Sequence, residues 1–499
     1  MIGVSLLFVV SLVVVVAAGW LWLRKKQNYW NRFNILTVDA SALHQIRERE
    51  HVAFVYERIY KQLREEQRPY AGFLTMLTPT LLVADLDLLK LVYISEFDSF
   101  PDRGFYANFK DDPLSKNLVR LHGDLWRKVR TKLTPTFTSG RMRQMFGTVQ
   151  AIGENFIQVM AGQVEELNNE LEVRDLCARF TTDVIGNVAF GLECNSLQEP
   201  QAEFRVKGDK AFYTIHPFME MIASTYPKLF HRFGYKVFTQ ELITFYSRIV
   251  RETVEYREKN GVKRNDFLDL LIELKNSPLE GEAEYQLDME DIIAQAFVFF
   301  IGGFETSSST MTFALYEMAK NPQVQERARK DVQDTLEKHK GAFGYDSLND
   351  MGYVRQVVQE TLRKHPVAPT GRRVCRRPFT LPGKPGLTVE PSVHIIIPVY
   401  AIHHDPEYYP QPEVFRPERF APNEKGQRHP MTYLPFGAGP RTCIAERFGM
   451  MQTMMGLALL LKNFKFSLCD RTVKQLTFDP FNVRVFNTKE GIYLRVEKI

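Results

Sequence analysis

The chain has 499 residues, 44% hydrophobic and 25% charged, which suits a large core; no Pro/Gly/Ser-rich linker, low-complexity run or repeat divides it. Its 64 basic and 59 acidic residues leave a net charge of +5, too mild for a nucleic-acid binder. The five cysteines are scattered, odd in number and never in a C-x-x-C pair, which speaks against a disulfide framework and a zinc site and for a reducing, cytosolic setting.

Residues 2–23 carry no charge and are rich in Val, Leu and Ile. As a helix this run is long enough to cross the roughly 30 Å hydrocarbon core of a bilayer. Trp20 and Trp22 fall where an interfacial aromatic belt would, and Arg24-Lys25-Lys26 follows at once. The positive-inside rule puts Arg24 onward in the cytosol. A cleaved signal peptide is the rival, because Ala17-Ala18-Gly19 offers small residues for cleavage, but no basic residue precedes the apolar run. The expectation is a retained anchor over residues 1–26 and one catalytic domain over 27–499. Residues 27–42 contain no proline.

Residues 99–106 form a turn-rich aromatic loop. Trp126 and Arg130 are four apart and share a face of a predicted helix. An indole N–H and a guanidinium on one face can hold a carboxylate, though such a pair alone is usually packing. Arg127, Lys128 and Lys132 nearby read singly as a solvated face and together as a dock for an acidic partner. Residues 205–235 are helical and aromatic, broken by Pro217 and Pro227. Residues 257–265 read as a charged, exposed connection.

Residues 288–321 read as one long helix, started by Asp288 and stopped at Asn321-Pro322. Inside it lies Gly302-Gly303-Phe304-Glu305-Thr306. Two adjacent glycines cost a helix about 1 kcal/mol each against alanine. Either a ligand approaches closely there or the helix kinks at a Ser/Thr run, and the local sequence weighs these about equally. Phe297, Val298, Ile301 and Phe304 make the surroundings apolar. Glu360 and Arg363 make an i,i+3 ion pair.

Phe436-Gly437-Ala438-Gly439-Pro440-Arg441-Thr442-Cys443-Ile444-Ala445 is a Gly-rich loop running into a helix with apolar residues at Ile444, Phe448, Met451, Met455 and Leu459. A cysteine at a helix N-terminus has its thiolate favoured by unpaired N–H groups and the helix dipole. The glycines leave room for a flat cofactor, and Arg441 can pair with an acid on it. A lone thiolate here suits an axial ligand to haem iron. The bland reading is a small buried cysteine beside a turn.

This loop resembles the haem-binding signature of the cytochrome P450 superfamily, F-x-x-G-x-R-x-C-x-G, at Phe436, Gly439, Arg441 and Cys443, with Ala445 where glycine is usual. Trp126 and Arg130 resemble the family's W-x-x-x-R, residues 302–306 its [AG]-G-x-[DE]-T, and Glu360 and Arg363 its E-x-x-R, completed by Pro417-Glu418-Arg419-Phe420. The resemblance implies a mainly α fold with minor β-sheets, a single large domain behind an N-terminal transmembrane helix, and a haem. Cys443 would be the proximal iron ligand. Trp126, Arg130, Arg373 and Arg441 would hold the haem propionates, and Phe436 and Gly439 would shape the loop. Gly303 would leave room for dioxygen, while Glu305 and Thr306 would relay protons to it. Residues 205–235 would roof the pocket and residues 477–482 close it from the other side.

The same resemblance implies a monooxygenase using O2 and NADPH-derived electrons from a cytochrome P450 reductase, with cytochrome b5 as a further candidate partner, on the cytosolic face of the endoplasmic reticulum. Residues 111–115 and 132–140 are similar to the insect family-6 branch, which implies lipophilic xenobiotics, plant toxins or insecticides as substrates. Endogenous lipids or steroids are the alternative substrates. A same-fold isomerase or dehydratase, and a non-enzymatic haem-binding membrane protein, are the alternative activities; the Glu305-Thr306 pair argues against both.

Overall fold

The helix expected between Asp288 and Asn321 runs Met289–Lys320 and is the axis of the molecule. At 32 residues it is roughly 48 Å long. Its start is a capping box: Asp288 accepts from the Asp291 N–H and Asp291 accepts from the Asp288 N–H, at 2.7 and 3.0 Å. Apart from the stretch around Gly302 it is buried almost all round. This computed structural model describes residues 26–33, 35–40, 50–213, 215, 217–277, 285–382, 388–482 and 484–499, with 17, 21 and 24. The expected anchor over residues 1–26 lies almost wholly outside them.

The axis packs chiefly against the helices Val173–Phe190 and Glu446–Asn463, with Gln240–Asn260 and Gly352–Lys364 alongside. Glycines set the closest crossings. A Cβ added at Gly303 would come within 2.7 Å of Ile185, and one at Gly456 would collide with Met311. Large buried side chains fill the remaining space, Phe156 stacking on Phe180 with ring centroids 4.9 Å apart.

As expected the chain is mainly helical with minor β-sheets, three of them among the described residues. The strands are β1 Tyr70–Thr75, β2 Thr78–Val83, β3 Glu170–Glu172, β4 Gly371–Val374, β5 Phe379–Thr380, β6 Thr388–Val389, β7 His394–Ile397, β8 Phe464–Ser467 and β9 Tyr493–Lys498. They pair in the orders β1-β2-β7-β4, β3-β9-β8 and β5-β6. In the first sheet β2 runs parallel to β7 with Thr80 opposite His394, and β4 runs antiparallel to β7 with Arg373 opposite Ile395.

Glu360 and Arg363 are fully buried. Arg363 donates to both carboxylate oxygens at 2.8 and 2.9 Å, Arg419 reaches the same carboxylate at 3.3 Å, and Arg363 also donates to the His403 and Pro412 carbonyls. A buried pair survives only when its remaining donors are satisfied, and here they tie the Gly352–Lys364 helix to the chain leading to the cysteine loop.

The roof of the molecule is broken as the prolines predict, into helices Glu203–Tyr213, Pro217–Thr225 and Pro227–Arg232. Phe233, Leu229, Tyr226 and Phe218 are exposed there. Residues 258–265 are mostly exposed, as expected, but Arg257 needs correction. Arg257 is not in an exposed connection: it is buried at the end of Gln240–Asn260 and held by Asp266 and Asp269 at 2.6 and 2.5 Å. Sequence showed its charge but not the two carboxylates beyond the turn.

Candidate active site

A cavity of about 690 Å³ lies between the axis, the cysteine loop and the roof. Trp126, Arg130, Arg373, Phe436, Arg441 and Cys443 all line it, as do Gly302, Gly303 and Thr306 from the axis. Phe481 closes one side, as expected for residues 477–482.

The cysteine loop does not pass straight into its helix. A 3-10 turn over Gly439–Arg441 intervenes, and the helix begins at Glu446, so Cys443 precedes it. The loop folds back on itself: the Cys443 N–H and the Thr442 hydroxyl both donate to the Phe436 carbonyl, at 2.9 and 3.2 Å. Gly439 has φ +68°, and a Cβ there would run into the Tyr93 carbonyl. No other residue fits both demands. The exposed surface of Cys443 opens onto the cavity. Burial in this apolar site raises its thiol pKa, while the Ala445 N–H, Arg103 and Arg130 pull it down. Burial outweighs the Ala445 N–H and the nearby guanidiniums, so the thiol is held above its ordinary pKa, where the sequence expectation was a favoured thiolate. Metal coordination deprotonates a thiol outright.

Above Cys443 the structure gathers positive charge. Arg441 is fully buried, stacks 4.1 Å over the Trp126 ring, and has Arg103, Arg130 and Arg373 close enough that, with burial, they depress its pKa to about 8. Among the described residues one carboxylate, Asp102, pairs with any of the four, at 3.2 Å from Arg441, and Arg376 shares it at 2.7 Å. Arg130 donates to the Thr442 carbonyl and Arg103 to the Arg441 carbonyl, both at 3.0 Å, so two of the guanidiniums also brace the loop. The Nε of Arg373 and both Nε and Nη1 of Arg441 are buried with no acceptor. Unmatched buried donors are costly. A flat dianion seated over Cys443 would satisfy them, and the two propionates of haem fit that requirement.

The predicted oxygen-side residues diverge. Thr306 lines the cavity, and its hydroxyl donates to the Gly302 carbonyl at 2.5 Å. Glu305 faces away from the cavity, where it accepts from Asn487 Nδ2 at 2.9 Å with Arg174 at 3.8 Å. Both partners also meet the Tyr213 hydroxyl, Asn487 at 2.7 Å and Arg174 at 3.1 Å. Burial raises the Glu305 carboxyl above its usual pKa, and Arg174 opposes that shift. The two glycines line the cavity but differ in surroundings: an added Cβ at Gly303 would meet Ile185 at 2.7 Å, and one at Gly302 would meet nothing within 4 Å. The helix runs without interruption through the Ser/Thr run.

Sequence reasoning missed Arg103, Asp102, Arg174 and Asn487. Arg103 and Asp102 lie in the 99–106 loop, which offered no pattern beyond its turns. Arg174 and Asn487 meet Glu305 from segments more than a hundred residues away on either side.

The family profile described as Cytochrome P450 matches residues 43–496. Among curated relatives, all from Drosophila melanogaster, Probable cytochrome P450 6a18 is 47% identical over 451 residues, 89% of each chain. Cytochrome P450 6a8 is 44% identical over 491 residues, 96% of each, and Cytochrome P450 6a9 is 43% identical over 498 residues, 98% of each. The match spans nearly the whole length, and the chain belongs to the cytochrome P450 family.

Proposed function

We propose that the protein is a haem-thiolate monooxygenase that catalyses RH + O2 + NADPH + H⁺ → ROH + H2O + NADP⁺, with electrons delivered by a flavin-containing reductase. The observation that carries this reading is the set of orphaned Arg373 and Arg441 donors over Cys443. When bound, haem held by a cysteine thiolate supplies activation of dioxygen, one atom of which enters the substrate. Cys443 would hold its iron, and Trp126, Arg130, Arg373 and Arg441 its propionates. Among the described residues no cluster of His, Cys, Asp or Glu offers a rival metal site.

The chain's own contribution is to admit, exclude and supply. The apolar cavity admits a lipophilic substrate and keeps bulk water out. Thr306 presents a hydroxyl at the open stretch beside Gly302, and turning it from the Gly302 carbonyl frees its proton for hydrogen bonding into the cavity. Glu305, with its raised pKa and its contacts to Asn487, Arg174 and Tyr213, is suited to resupply protons from the far side of the helix. Electron entry fits the exposed Arg127 and Lys128 with Lys132 on the helix Gly123–Leu133, which also carries Trp126 and Arg130. A negatively charged donor would dock there, and cytochrome b5 could share the surface.

Residues 1–26 would anchor the catalytic domain, residues 27–499, to the endoplasmic reticulum on its cytosolic side. The exposed apolar roof residues support contact with the bilayer. Lipophilic xenobiotics, plant toxins or insecticides are the proposed substrate class, from the resemblance of residues 111–115 and 132–140 to the insect family-6 branch. The deciding experiment is reconstitution of the haem-loaded protein with reductase. It should give the red-shifted Soret band of a thiolate-ligated haem with CO, and product in step with NADPH and O2. A CO spectrum at ordinary wavelengths, or no O2 uptake with any lipophilic substrate, overturns the reading.

A further inference from the structure

At the roof the cavity wall carries charge that haem does not explain. Arg372 and Arg373 are neighbours on β4, so their side chains leave opposite faces of the strand. Arg373 interacts with Tyr93, Arg103 and Asp102, among the propionate-side groups. Arg372 instead stacks 4.5 Å over Phe105 and lies near Tyr56 and Arg120. Arg484 also senses Arg120 and lines the same cavity with Arg372 and Glu220.

The balance at this end is uneven. Glu220, on the roof helix Pro217–Thr225, is buried and shared by two arginines: Arg120 at 2.5 Å from behind and Arg484 from the cavity wall. Arg120 is otherwise satisfied by the Tyr106 carbonyl at 2.6 Å, and Arg372 by the Arg103 and Gly104 carbonyls at 2.7 and 2.9 Å. Asp112, the other carboxylate near Arg120, accepts from the Val237 and Phe238 N–H groups and is not part of the cavity wall. Three guanidiniums thus face two carboxylates, and the wall itself shows two guanidiniums and one carboxylate. Arg484 is the least satisfied. Among the described residues Glu220 is its single charged partner and no carbonyl or hydroxyl accepts from it. About a quarter of its side chain (24%) is exposed. Because Arg484 lines the cavity and, its ion pair with Glu220 apart, its buried Nη2 has no hydrogen-bond acceptor, its guanidinium fork is a ready donor toward a bound molecule in an otherwise apolar space.

We infer that this end of the cavity is a carboxylate subsite, and that the enzyme takes lipophilic carboxylic acids whose acid group is bound by Arg484, with Arg372 and Arg120 supplying the surplus charge. This rests on the monooxygenase reading and narrows its substrate class: the acid is held at the roof and the hydrocarbon part is left to face the haem side. A charged ligand otherwise pays a desolvation cost to enter an apolar cavity, and a charge-assisted fork offsets it. Burial and Arg120 lower the Arg484 pKa to about 9, which leaves it charged at neutral pH.

The test compares decanoic acid with methyl decanoate on the haem-loaded full-length protein in lipid nanodiscs, by equilibrium dialysis, which needs no turnover. The acid should bind at least ten-fold tighter than the ester. Arg484→Gln should remove that preference and leave ester affinity and the CO spectrum unchanged. Glu220→Gln should tighten the acid further. If Arg484→Gln fails to load haem, Arg484→Lys serves, and it should keep part of the preference. An unaltered acid-to-ester ratio in the Arg484 variant, or an ester that outbinds the acid in the unmodified protein, overturns the proposal and leaves Arg484 and Glu220 as a structural latch. Failure of the monooxygenase reading looks different: acid preference persists while NADPH and reductase give no oxidised product.

Discussion

Glu305 and Thr306 are adjacent in the chain and serve different sides of one helix: the threonine hydroxyl lies in the cavity on the Gly302 carbonyl, while the glutamate is buried against Asn487. Successive helical residues are about 100° apart, so a pair drawn side by side in sequence is separated by the helix itself. Thr306→Ala should therefore leave the haem spectrum and substrate binding intact and lower product per NADPH several-fold, with peroxide making up the difference. Glu305→Gln should slow turnover with a larger solvent isotope effect while coupling falls less. Unchanged coupling in a well-folded Thr306→Ala protein would make this hydroxyl a helix-bonding group only.

The two glycines of the same stretch should respond differently. Gly303→Ala brings a methyl against Ile185 and should cost about 1–3 kcal/mol of stability, partly restored by Ile185→Val. Gly302→Ala meets open space and should instead stabilise the helix by up to about 1 kcal/mol. Its added methyl narrows the cavity, so bulky substrates should bind more weakly. Thermal melts and a substrate-size series check both outcomes.

Legibility followed sequence distance. The axis was readable from Asp288 and Asn321-Pro322, and the cysteine loop from its glycines, because caps and turns are local. The glycine pair was readable as a site but not by residue, since which one faces Ile185 depends on how two helices cross. Arg257 read as exposed because Asp266 and Asp269 reach it around a turn. Arg484 and Glu220 carried no signal: their meaning arises only where segments around residues 120, 220 and 484 converge.

Removing one donor from the guanidinium shell should loosen the prosthetic group without unfolding the chain. Arg441→Gln should reduce haem retained per protein on purification while far-UV circular dichroism stays native. Cys443→Ala should abolish the red-shifted CO band, and joint replacement of the other four cysteines should spare it. A red-shifted band surviving in Cys443→Ala would reassign the ligand.

Acid stability should depend on Glu317. Burial would raise its carboxyl pKa, but His365 at 2.8 Å and Lys364 at 3.0 Å bring it down to about 2 from 4.5. A carboxylate depressed on folding stabilises above its unfolded value and loses that contribution as pH falls from 4.5 toward 2. His365 is held below its usual pKa by burial, so its protonation also opposes folding in acid. Urea midpoints of the unmodified protein should fall steeply below pH 4.5, with about 2–3 kcal/mol at stake. Glu317→Gln should start lower at pH 7 and fall less steeply.

The shell of Arg103, Arg130, Arg373 and Arg441 has a consequence for how the protein matures. Four like charges converging on a single aspartate repel one another at the centre of a newly made chain. A dianion bound among them would relieve that repulsion, so binding of the prosthetic group and stability of the surrounding core should be linked: the haem-loaded protein should melt higher than the haem-free chain and resist protease longer.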